Sequence, residues 1–306
     1  MDKNSKFLLS QISPLHDIPQ AGVYSIRENG KLLARNTDSE VNIVSKTDKE
    51  GIDVFIKNGT KNKSVHIPVL VSMGGFDDLV YNDFYIGDDC DVLIVAGCGI
   101  HNPSEKQSLH NGIHKFHIGK NSKIKYVEKH FAFGNKKSKK ILNPLTEIVV
   151  GENSVCEMET VQFGGVTFAD RKTNAVLKDN AKLLIRENIL TEEKQEAKTD
   201  FKVELKGRNS RVEVISRAVA KDNSVQEFNS VLIGENECFG HVECDGILSD
   251  KAIISSTPTI VAKNKDAMLV HEAAIGKISE EQQNKLMTLG LSKEEAEKVI
   301  ISGFLS

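Results

Sequence analysis

A short phrase returns seven times along the chain at a spacing of about 30 residues, and it constrains the fold more than any other feature. Each copy has an apolar residue, one or two Gly or charged residues, an Asn or Asp beside a small residue, and then alternating apolar positions. Such polar clusters make tight turns, and alternation with a period of two is typical of a strand. The copies are anchored on an Asn or Asp at positions 89, 121, 153, 180, 209, 236 and 266.

The intervals between these anchors are 32, 32, 27, 29, 27 and 30 residues, so one turn-and-strand unit repeats. Units that bury their apolar faces on their neighbours form a solenoid. A β-sandwich is the competing architecture, but its turns come every 8 to 12 residues or so and give no reason for a longer repeat. The sequence therefore predicts a mainly β protein with a solenoid core over residues 64–275.

The two ends of the chain differ from the repeats. Residues 1–63 have a Gly30 turn and are predicted to form a small N-terminal lobe with short strands at 21–27, 41–45 and 52–57. Residues 276–306 change to a helical pattern, with S-x-x-E/Q capping boxes predicted at Ser279 and Ser292 and Gly290 between them. We expect a C-terminal two-helix domain that packs on something, since helices this short are marginal alone.

Composition excludes several classes of protein. Lys plus Arg is 40 and Asp plus Glu is 43, so the net charge of −3 provides no basic field for nucleic acid. No stretch approaches the ~18 to 20 apolar residues that span a bilayer. The start of the chain has three consecutive apolar residues, whereas a signal peptide needs about 7 to 15. We expect a cytoplasmic protein with neither a nucleic-acid nor a membrane partner.

The five cysteines are an odd number without a C-x-x-C pair, which argues against a disulfide framework and a zinc ribbon. Three ligand-type residues form a C-x2-H-x2-C cluster at Cys238, His241 and Cys244. On a strand, the two cysteines share one face and the histidine points to the other. The cluster is therefore either a metal site with a bent backbone or a pair of buried cysteines that act as small apolar residues. His271 and Glu272 form a second candidate, for which a surface ion pair is the alternative.

A histidine-rich segment holds His110, His114 and His117, shortly after the strand-like run that ends at Cys98. The flanking strand pattern and Gly112 argue against a helix there. A polar turn with packed histidines is the simpler interpretation, and a transition-metal site is the alternative. The sequence has no P-loop, no G-x-G-x-x-G after a strand and no G-x-S-x-G motif.

From about Val69 onward the chain resembles the SufB/SufD family, the scaffold proteins of the SUF iron–sulfur cluster assembly system. The phrase HEA…KIS…GLS…EA…I.GF near the C-terminus is the most specific part of the match. The residues that carry the resemblance are YNDFYIGDDCDVLIVAGCGIHN (81–102), ILNPLTEIVVGENS (141–154), ECDGILSDKAIISSTPTIVAKNKDAMLVHEAAIGKIS (243–279) and LMTLGLSKEEAEKVIISGFL (286–305).

The resemblance implies a right-handed parallel β-helix followed by a helical C-terminal domain. It also implies a homodimer formed through the β-helix and an ABC-type ATPase partner, SufC, bound through the C-terminal helices. A sulfur donor and recipient apoproteins are further partners of such a scaffold. The chain has the compactness of short SufB-like proteins, in which one type of subunit serves both the SufB and the SufD roles.

Individual residues follow from the same resemblance. Cys244 matches the Cys of the family's Q/E-C-D motif, which is implicated in binding the nascent cluster at the dimer interface. Glu272 matches the acidic position of the SufB HEA motif, where SufD chains usually have His. Longer SufB chains have a Cys just before the G-E-N-S turn, proposed to accept incoming sulfur, but this chain has Val149 and Val150 there. Two other residues could replace it, namely Cys98 and Cys156.

Thiolate and carboxylate ligands suit iron, but one Cys per chain cannot complete a site with four ligands. Two chains related by a two-fold axis supply two copies of Cys244 and of Glu272. Such a mixed site suits a transient 4Fe–4S or 2Fe–2S cluster, which is assembled and then released. We therefore expect a scaffold and not an enzyme. The alternatives are a carbohydrate-active β-helix, for which no carboxylate pair recurs on one strand face, and a structural adaptor that recruits an ATPase without holding a cluster.

Overall fold

The computed structural model describes residues 1–305, and most of its strands coil into a β-solenoid of about eight turns. Two helices follow the last strand, which confirms the mainly β prediction and the two-helix end of the chain. The right-handed sense of the coil and the domain limits at residues 63 and 275 stay predictions.

The first ten strands are β1 (Val23–Glu28), β2 (Lys31–Asn36), β3 (Val41–Ser45), β4 (Gly51–Ile56), β5 (Lys61–Val71), β6 (Asp77–Ile86), β7 (Asp91–Asn102), β8 (Ser108–Ile118), β9 (Lys123–Gly134) and β10 (Lys140–Leu142).

The remaining strands continue the two sheets to the end of the coil. They are β11 (Leu145–Val150), β12 (Val155–Gln162), β13 (Phe168–Leu177), β14 (Lys182–Thr191), β15 (Glu196–Leu205), β16 (Ser210–Ala220), β17 (Val225–Gly234), β18 (Cys238–Leu248), β19 (Ile253–Ala262) and β20 (Ala267–Gly276). The first sheet has the order β2-β1-β5-β7-β9-β12-β14-β16-β18-β20, and the second has the order β19-β17-β15-β13-β10-β8-β6-β4-β3, with β11 beside β8 and β13. Each coil therefore adds one parallel strand to each sheet.

The repeated phrase forms the turn that leads from the second sheet to the first. Its Asn or Asp takes the left-handed backbone conformation, with φ between 54° and 57°, at positions 89, 121, 153, 180 and 209. The side chains of four of these residues stack in a ladder of hydrogen bonds: Asn153 Nδ2 donates to Asn121 Oδ1 at 3.2 Å, Asn180 Nδ2 to Asn153 Oδ1 at 3.0 Å, and Asn209 Nδ2 to Asn180 Oδ1 at 3.3 Å. Asn is the non-glycine residue that best tolerates this conformation, which explains its recurrence. The last two anchors, Asn236 and Asp266, do not adopt it.

Replacing Asn180 by Ala and by Gly is expected to reverse the usual order of stability of these two residues. Ala in the left-handed conformation costs about 1–2 kcal/mol, whereas Gly adopts it freely. Both variants lose the same two ladder bonds. Urea unfolding should therefore give a lower free energy of unfolding for Asn180→Ala than for Asn180→Gly, and the opposite order would contradict the assigned backbone conformation.

The interior of the coil has an apolar half and a polar half. The half nearest the repeated turns is a continuous apolar core that runs from Val23 to Cys244. Toward the opposite turns, the inward positions are occupied by buried polar side chains: Asp78, His110, His114, Glu128, His130, Arg171 and Glu187. Charged groups are seldom buried inside a protein unless they are paired. This row of buried polar residues is therefore the first place to look for a functional site.

The N-terminal segment is joined to the coil by strands and by a helix that the sequence pattern did not reveal. β1 and β4 pair in parallel with β5 and β6, where short strands were predicted. Helix α1 (Lys3–Ile12) lies on the outer face of β7, and two glycines make room for it. A Cβ at Gly97 would stand 2.2 Å from the Ile12 carbonyl oxygen, and one at Gly99 would stand 2.6 Å from Leu8 Cδ1. The helix therefore covers the outside of the strand that carries Cys98.

The C-terminal helices are α2 (Glu280–Thr288) and α3 (Lys293–Phe304), and Gly290 between them has the predicted positive φ of 96°. Ser292 forms the predicted capping box with Glu295. The box predicted at Ser279 is not formed, because its partner Gln282 lines the groove under the helix instead of turning back.

Helix α3 is anchored to the coil at β16. Arg217 Nη1 donates to the Phe304 carbonyl oxygen at 2.9 Å. The Lys221 Nζ and Glu297 Oε1 atoms lie 2.8 Å apart. Across residues 1–305, no helix has the length and apolar character needed to cross a membrane.

Candidate functional site

The two predicted ligands lie on neighbouring strands at the C-terminal end of the first sheet. The register pairs Glu243 with Glu272 and Cys244 with Ala273, so Cys244 and Glu272 occupy adjacent register positions. Successive residues of a strand point to opposite faces. Cys244 accordingly points into the coil and is fully buried, whereas the Glu272 side chain is 67% exposed outside it. Within one chain the structure therefore brings the strands together but not the two ligand atoms.

The C-x2-H-x2-C cluster has the predicted alternation of faces. Cys238 and Cys244 are buried inside the coil, and His241 lies outside with its Nε2 3.7 Å from Glu272 Oε2. Burial raises the pKa of Cys244 to about 11, which keeps the thiol protonated when no metal is bound. The register places His271 beside Val242, on the inward face, and its buried Nε2 has no hydrogen-bond partner among the described residues.

A second constellation lies at the other end of the polar interior and is centred on Cys98. The Cys98 sulfur is 3.1 Å from His110 Nε2, and His110 Nδ1 is 2.8 Å from Asp78 Oδ2. All three side chains are buried, and they come from three strands of two sheets: β7, β8 and β6. A thiol, an imidazole and a carboxylate in this order form the arrangement that activates a nucleophile.

The charges in this group stabilise a thiolate. Burial alone raises the pKa of Cys98, but His110 and, less strongly, His130 together outweigh burial and lower the pKa to about 7. Burial alone lowers the pKa of His110, but the Cys98 thiolate and the Asp78 carboxylate raise it to about 10. About half of Cys98 is therefore a thiolate at pH 7, paired with the His110 imidazolium, and the thiolate fraction rises above that pH.

The histidine-rich segment is a strand with packed histidines and not a polar turn. His110 and His114 both point into the coil from β8, and His117 points outward and stacks on Tyr85. Gly112 lies between the two inward rings, where a Cβ would stand 2.8 Å from His114 Nε2 and 3.2 Å from His110 Nε2. A glycine is therefore required for the two rings to share one face.

On the other side of Cys98, a buried ion pair orients a third histidine. The register places His130 beside Cys98 on β9. Arg171 donates to Glu128 Oε2, and its Nη2 lies 3.0 Å from His130 Nδ1. Burial alone raises the pKa of Glu128, but the Arg171 guanidinium holds it well below its usual range, so the pair is charged. The ligand-type atoms of Cys98, Glu128 and His130 lie within 4.8 Å of one another.

Four polar atoms in this region are buried without a hydrogen-bond partner among residues 1–305. A buried polar atom without a hydrogen bond costs about 1–3 kcal/mol. The four atoms are His114 Nε2, Tyr126 Oη, Glu128 Oε1 and His130 Nε2. Three of the four atoms face one another at longer range, since Glu128 Oε1 lies 3.5 Å from His130 Nε2 and 3.8 Å from His114 Nε2. We call these four residues together with Cys98 the polar chamber.

A single column of inward positions connects the polar chamber with Cys244. Each member is the register partner of the next along the first sheet, and the column reads Glu128, Thr160, Glu187, Ser216 and Cys244. Arg171 bridges the first part, since its Nε lies 3.4 Å from Glu187 Oε1. Ser216 Oγ donates to Glu187 Oε2 at 3.1 Å. Four strand spacings put about 19 Å between the two ends of the column.

The remaining cysteines lack such surroundings. Cys156 packs in the apolar half of the interior, and burial raises its pKa to about 12. Cys90 lies at a turn, and burial raises its pKa as well. Of the two residues that the sequence offered in place of the missing Cys, only Cys98 therefore has a basic partner within hydrogen-bond distance.

The sequence does contain a signal for the polar chamber, namely charged residues at strand positions that point into the coil. In IKYVEKHFAFG, from Ile124, the inward positions of the alternating strand include Glu128 and His130, where apolar residues are expected. Glu187 interrupts the inward row of LLIRENIL in the same way. Charged residues at several inward positions of neighbouring repeats indicate a buried polar site, once the repeats are set in register.

Proteins that are already known resemble this chain over most of its length. A sequence model described as SUF system FeS cluster assembly, SufBD core domain, matches residues 85–304. An iron–sulfur cluster assembly SufBD family protein of Archaeoglobus fulgidus is 28% identical over 90% of this chain and 73% of its own length. Proteins with the same family name are 30% identical over 72% of this chain in Methanothermobacter thermautotrophicus and 28% identical over 90% of it in Pyrococcus horikoshii. The match covers 53% of the Methanothermobacter relative, so this chain spans about half of that protein's length.

Proposed function

The chain belongs to the SufBD family of iron–sulfur cluster assembly proteins, and we propose that it is a scaffold subunit on which sulfur and iron are joined into a nascent cluster. The observation that carries this proposal is the buried Cys98–His110–Asp78 group, from which a polar column leads through the coil to Cys244. A sulfur-accepting thiolate at one end and a ligand thiol at the other are the two functions that a scaffold needs.

Cys98 is the residue that accepts sulfur from the donor in this proposal. A thiolate and not a thiol attacks a sulfane sulfur, and Cys98 is ionised near neutral pH because of His110. Cys156 remains a thiol, since its pKa is about 12. A two-electron reductant then cleaves the S–S bond of this persulfide, which restores the Cys98 thiolate and releases the outer sulfur as hydrosulfide. The hydrosulfide passes along the column of Thr160, Glu187 and Ser216 toward Cys244.

Cys244 and Glu272 are the proposed ligands of a transient 4Fe–4S or 2Fe–2S cluster, which is the cargo of the scaffold. Cys244 lies on β18 and Glu272 on the neighbouring β20, at the end of the coil where β19 and β20 are the outermost strands of the two sheets. Open sheet edges with exposed apolar residues invite pairing with another chain. The exposed apolar residues there are Ile253, Ile260, Val261, Met268 and Ile275. We propose that a second copy covers this end, so that the two-fold axis of a homodimer duplicates both ligands.

The ATPase partner SufC is proposed to bind the C-terminal helices. An apolar groove of about 530 Å³ lies between α2, α3 and Ile247. Two apolar side chains at its rim remain exposed, Leu289 by 77% and Val299 by 50%. Exposed apolar grooves of this kind bind a partner's apolar side chains.

Anaerobic reconstitution with ferrous iron, a persulfide donor and a two-electron reductant, which converts the sulfane sulfur to sulfide, tests the proposal. We expect thiolate-to-iron absorbance bands, with one cluster for every two chains and a dimer by light scattering. The bands should be lost with Cys98→Ser when the sulfur is supplied as persulfide and retained when it is supplied as free sulfide, which bypasses the acceptor. A wild-type chain that stays monomeric and binds no iron while still binding SufC would instead favour the structural adaptor.

A further inference from the structure

We propose that His110, oriented by Asp78, keeps the Cys98 sulfur in its thiolate form, and that the N–H of His130 holds the outer sulfur of the persulfide that forms there. This inference rests on the proposed role of Cys98 as the sulfur acceptor. His110, Asp78 and His130 act through Cys98 and are positioning residues.

The hydrogen bonds of His110 fix the position of its protons. Asp78 is an acceptor at 2.8 Å from Nδ1, so Nδ1 carries a hydrogen and donates it. The Arg27 Nη2 atom lies 3.7 Å from Asp78 Oδ1, so a guanidinium pairs with the other oxygen of that carboxyl. The Nε2 atom then faces the Cys98 sulfur at 3.1 Å and is free to take its proton. Asp78 stabilises the imidazolium that results.

The charged and titratable groups that surround Cys98 come from six strands. Asp78 and His110 lie on the side of the second sheet, with His114 further along β8. Glu128, His130 and Tyr126 lie on β9, the next strand of the first sheet. Arg171 and Glu187 lie beyond them, and Arg27 lies behind Asp78. The carboxylates of Asp78 and Glu128 are each paired with an arginine, so the imidazolium of His110 is the cation left to pair with the thiolate.

The proton of His130 is located by a similar argument. A guanidinium only donates hydrogen bonds, so the Arg171 Nη2 that lies 3.0 Å from Nδ1 requires a lone pair there. The ring hydrogen is then on Nε2, which faces the polar chamber and makes no hydrogen bond in the described structure, although Glu128 Oε1 lies 3.5 Å from it. The register sets this N–H beside Cys98, and the hydroxyl of Tyr126 is a second unpartnered donor in the same chamber.

These donors suit an anionic sulfur beyond Cys98. The thiolate attacks the outer sulfur of a donor persulfide, R–S–SH; a new S–S bond forms to Cys98 and the S–S bond of the donor breaks. The donor leaves as the thiolate R–S⁻, and Cys98 becomes Cys–S–SH, so that no oxidant or reductant is consumed. A persulfide is more acidic than a thiol and loses its proton, and His130 Nε2–H then donates to the terminal sulfur anion.

The ligand-type atoms of Cys98, Glu128 and His130 are close enough together to bind a metal ion. The positions of the ring hydrogens of His130 argue against a metal site. A histidine that binds a metal through Nε2 carries its hydrogen on Nδ1 and donates it to an acceptor. Here Nδ1 faces a donor, Arg171. The arrangement therefore supports a hydrogen-bond donor at Nε2 and not a ligand.

The ultraviolet absorbance of the thiolate, followed in the full-length chain between about pH 5 and 9, tests the first half of the proposal without a reagent having to reach the buried sulfur. We expect one thiolate to ionise near pH 7 and to be lost in Cys98→Ser. In His110→Gln and Asp78→Asn the transition should move upward by at least about one pH unit, a tenfold loss of thiolate below the midpoint. His117→Gln, which changes an outward ring on the same strand, is the matched control and should leave the transition in place.

Persulfidation by inorganic polysulfide, read as the mass gain of the peptide that contains Cys98, tests the chemical consequence. At pH 7 the rate for His110→Gln should fall at least about tenfold and recover as the pH rises past the shifted transition, which a merely structural role of His110 would not produce. His130→Gln should raise the thiolate transition less than His110→Gln does, because His130 is the weaker of the two histidines that lower the pKa of Cys98. It should release the outer sulfur to cyanide about three- to tenfold faster, the range set by one hydrogen bond.

Three outcomes would overturn the inference. They are an unchanged thiolate transition in His110→Gln, equal persulfidation of Cys98 and Cys156 across the pH range, or Co²⁺ binding with a thiolate-to-cobalt band that His130→Gln removes. Each leaves the role of Cys98 itself open to a separate test. If Cys98→Ser still assembles cluster from a persulfide donor, it is the proposed acceptor function that fails.

Discussion

Replacing Cys244 by Ser is expected to abolish the reconstituted cluster and to lower the unfolding midpoint by no more than a few degrees. A hydroxyl is a poor ligand for iron compared with a thiolate, so the site loses its soft ligand. The new hydroxyl would lie next to Ser216 in the register and near the otherwise unpartnered Ser256 hydroxyl, so it gains hydrogen-bond partners inside the coil. The cost of about 1 kcal/mol corresponds to about 2 °C or less in a chain of this size. Absorbance after anaerobic reconstitution and differential scanning calorimetry measure the two effects.

Cys156→Ser is the matched control, because it makes the same change on an inward position of the same sheet, three strands earlier. Its surroundings are apolar, so the new hydroxyl is buried without a partner and should destabilise the chain more than Cys244→Ser does. The cluster should nevertheless form. We therefore expect Cys244→Ser to be the more stable variant and Cys156→Ser to be the one that retains the cluster. Equal loss of cluster in both would show that the assignment of Cys244 as a ligand is wrong.

The coil was predictable because the residues that determine it lie close together in the sequence. A left-handed Asn followed by alternating apolar residues is a local signal, and its return at 121, 153, 180 and 209 sets the length of each coil. Asn236 and Asp266 share the composition of the phrase without its backbone conformation, which shows that the signal weakens in the last coils.

The polar chamber could not be predicted in the same way, since its members are combined by register. His110 is 12 residues from Cys98 and 32 residues from Asp78 along the chain. Cys98 comes from the first sheet, and the other two come from the second. An alternating pattern shows which residues point inward, but not which inward residues of the two sheets face each other. Helix α1 shows a related difficulty. Its Leu8, Leu9 and Ile12 have helical spacing, but the site that stabilises so short a helix is created by Gly97 and Gly99, far along the chain.

The position of α3 suggests how an ATPase could act on the cluster site. Arg217 of β16 holds the last turn of α3. Ser216, which precedes Arg217 in the same strand, is the register neighbour of Cys244. A force on α3 therefore reaches the strand beside the proposed ligand through one hydrogen bond and one peptide. We propose that dimerisation of two SufC subunits pulls both helices and opens the buried Cys244 to iron and to sulfur from the column.

Replacing Val299 by Asp is expected to weaken SufC binding at least about 30-fold, which corresponds to the 2 kcal/mol or more that a buried apolar anchor contributes. Val299 lines the groove and is half exposed in the free chain, so the change costs little folding energy but would bury an unpaired carboxylate in the complex. Isothermal titration calorimetry with purified SufC measures the affinity. Deletion of residues 279–306 should abolish binding while the coil, whose last strand ends at Gly276, still unfolds cooperatively.

Ser302→Asp is the control for this surface, because it adds the same carboxylate to an exposed position of α3 that does not line the groove. It should bind SufC as the wild-type chain does. If Ser302→Asp also lost binding, added charge anywhere on α3 would disrupt the complex. The effect of Val299→Asp would then not identify the groove as the contact. Full binding by Val299→Asp, or by the truncated chain, would contradict both the docking site and the route by which α3 is proposed to open the Cys244 site.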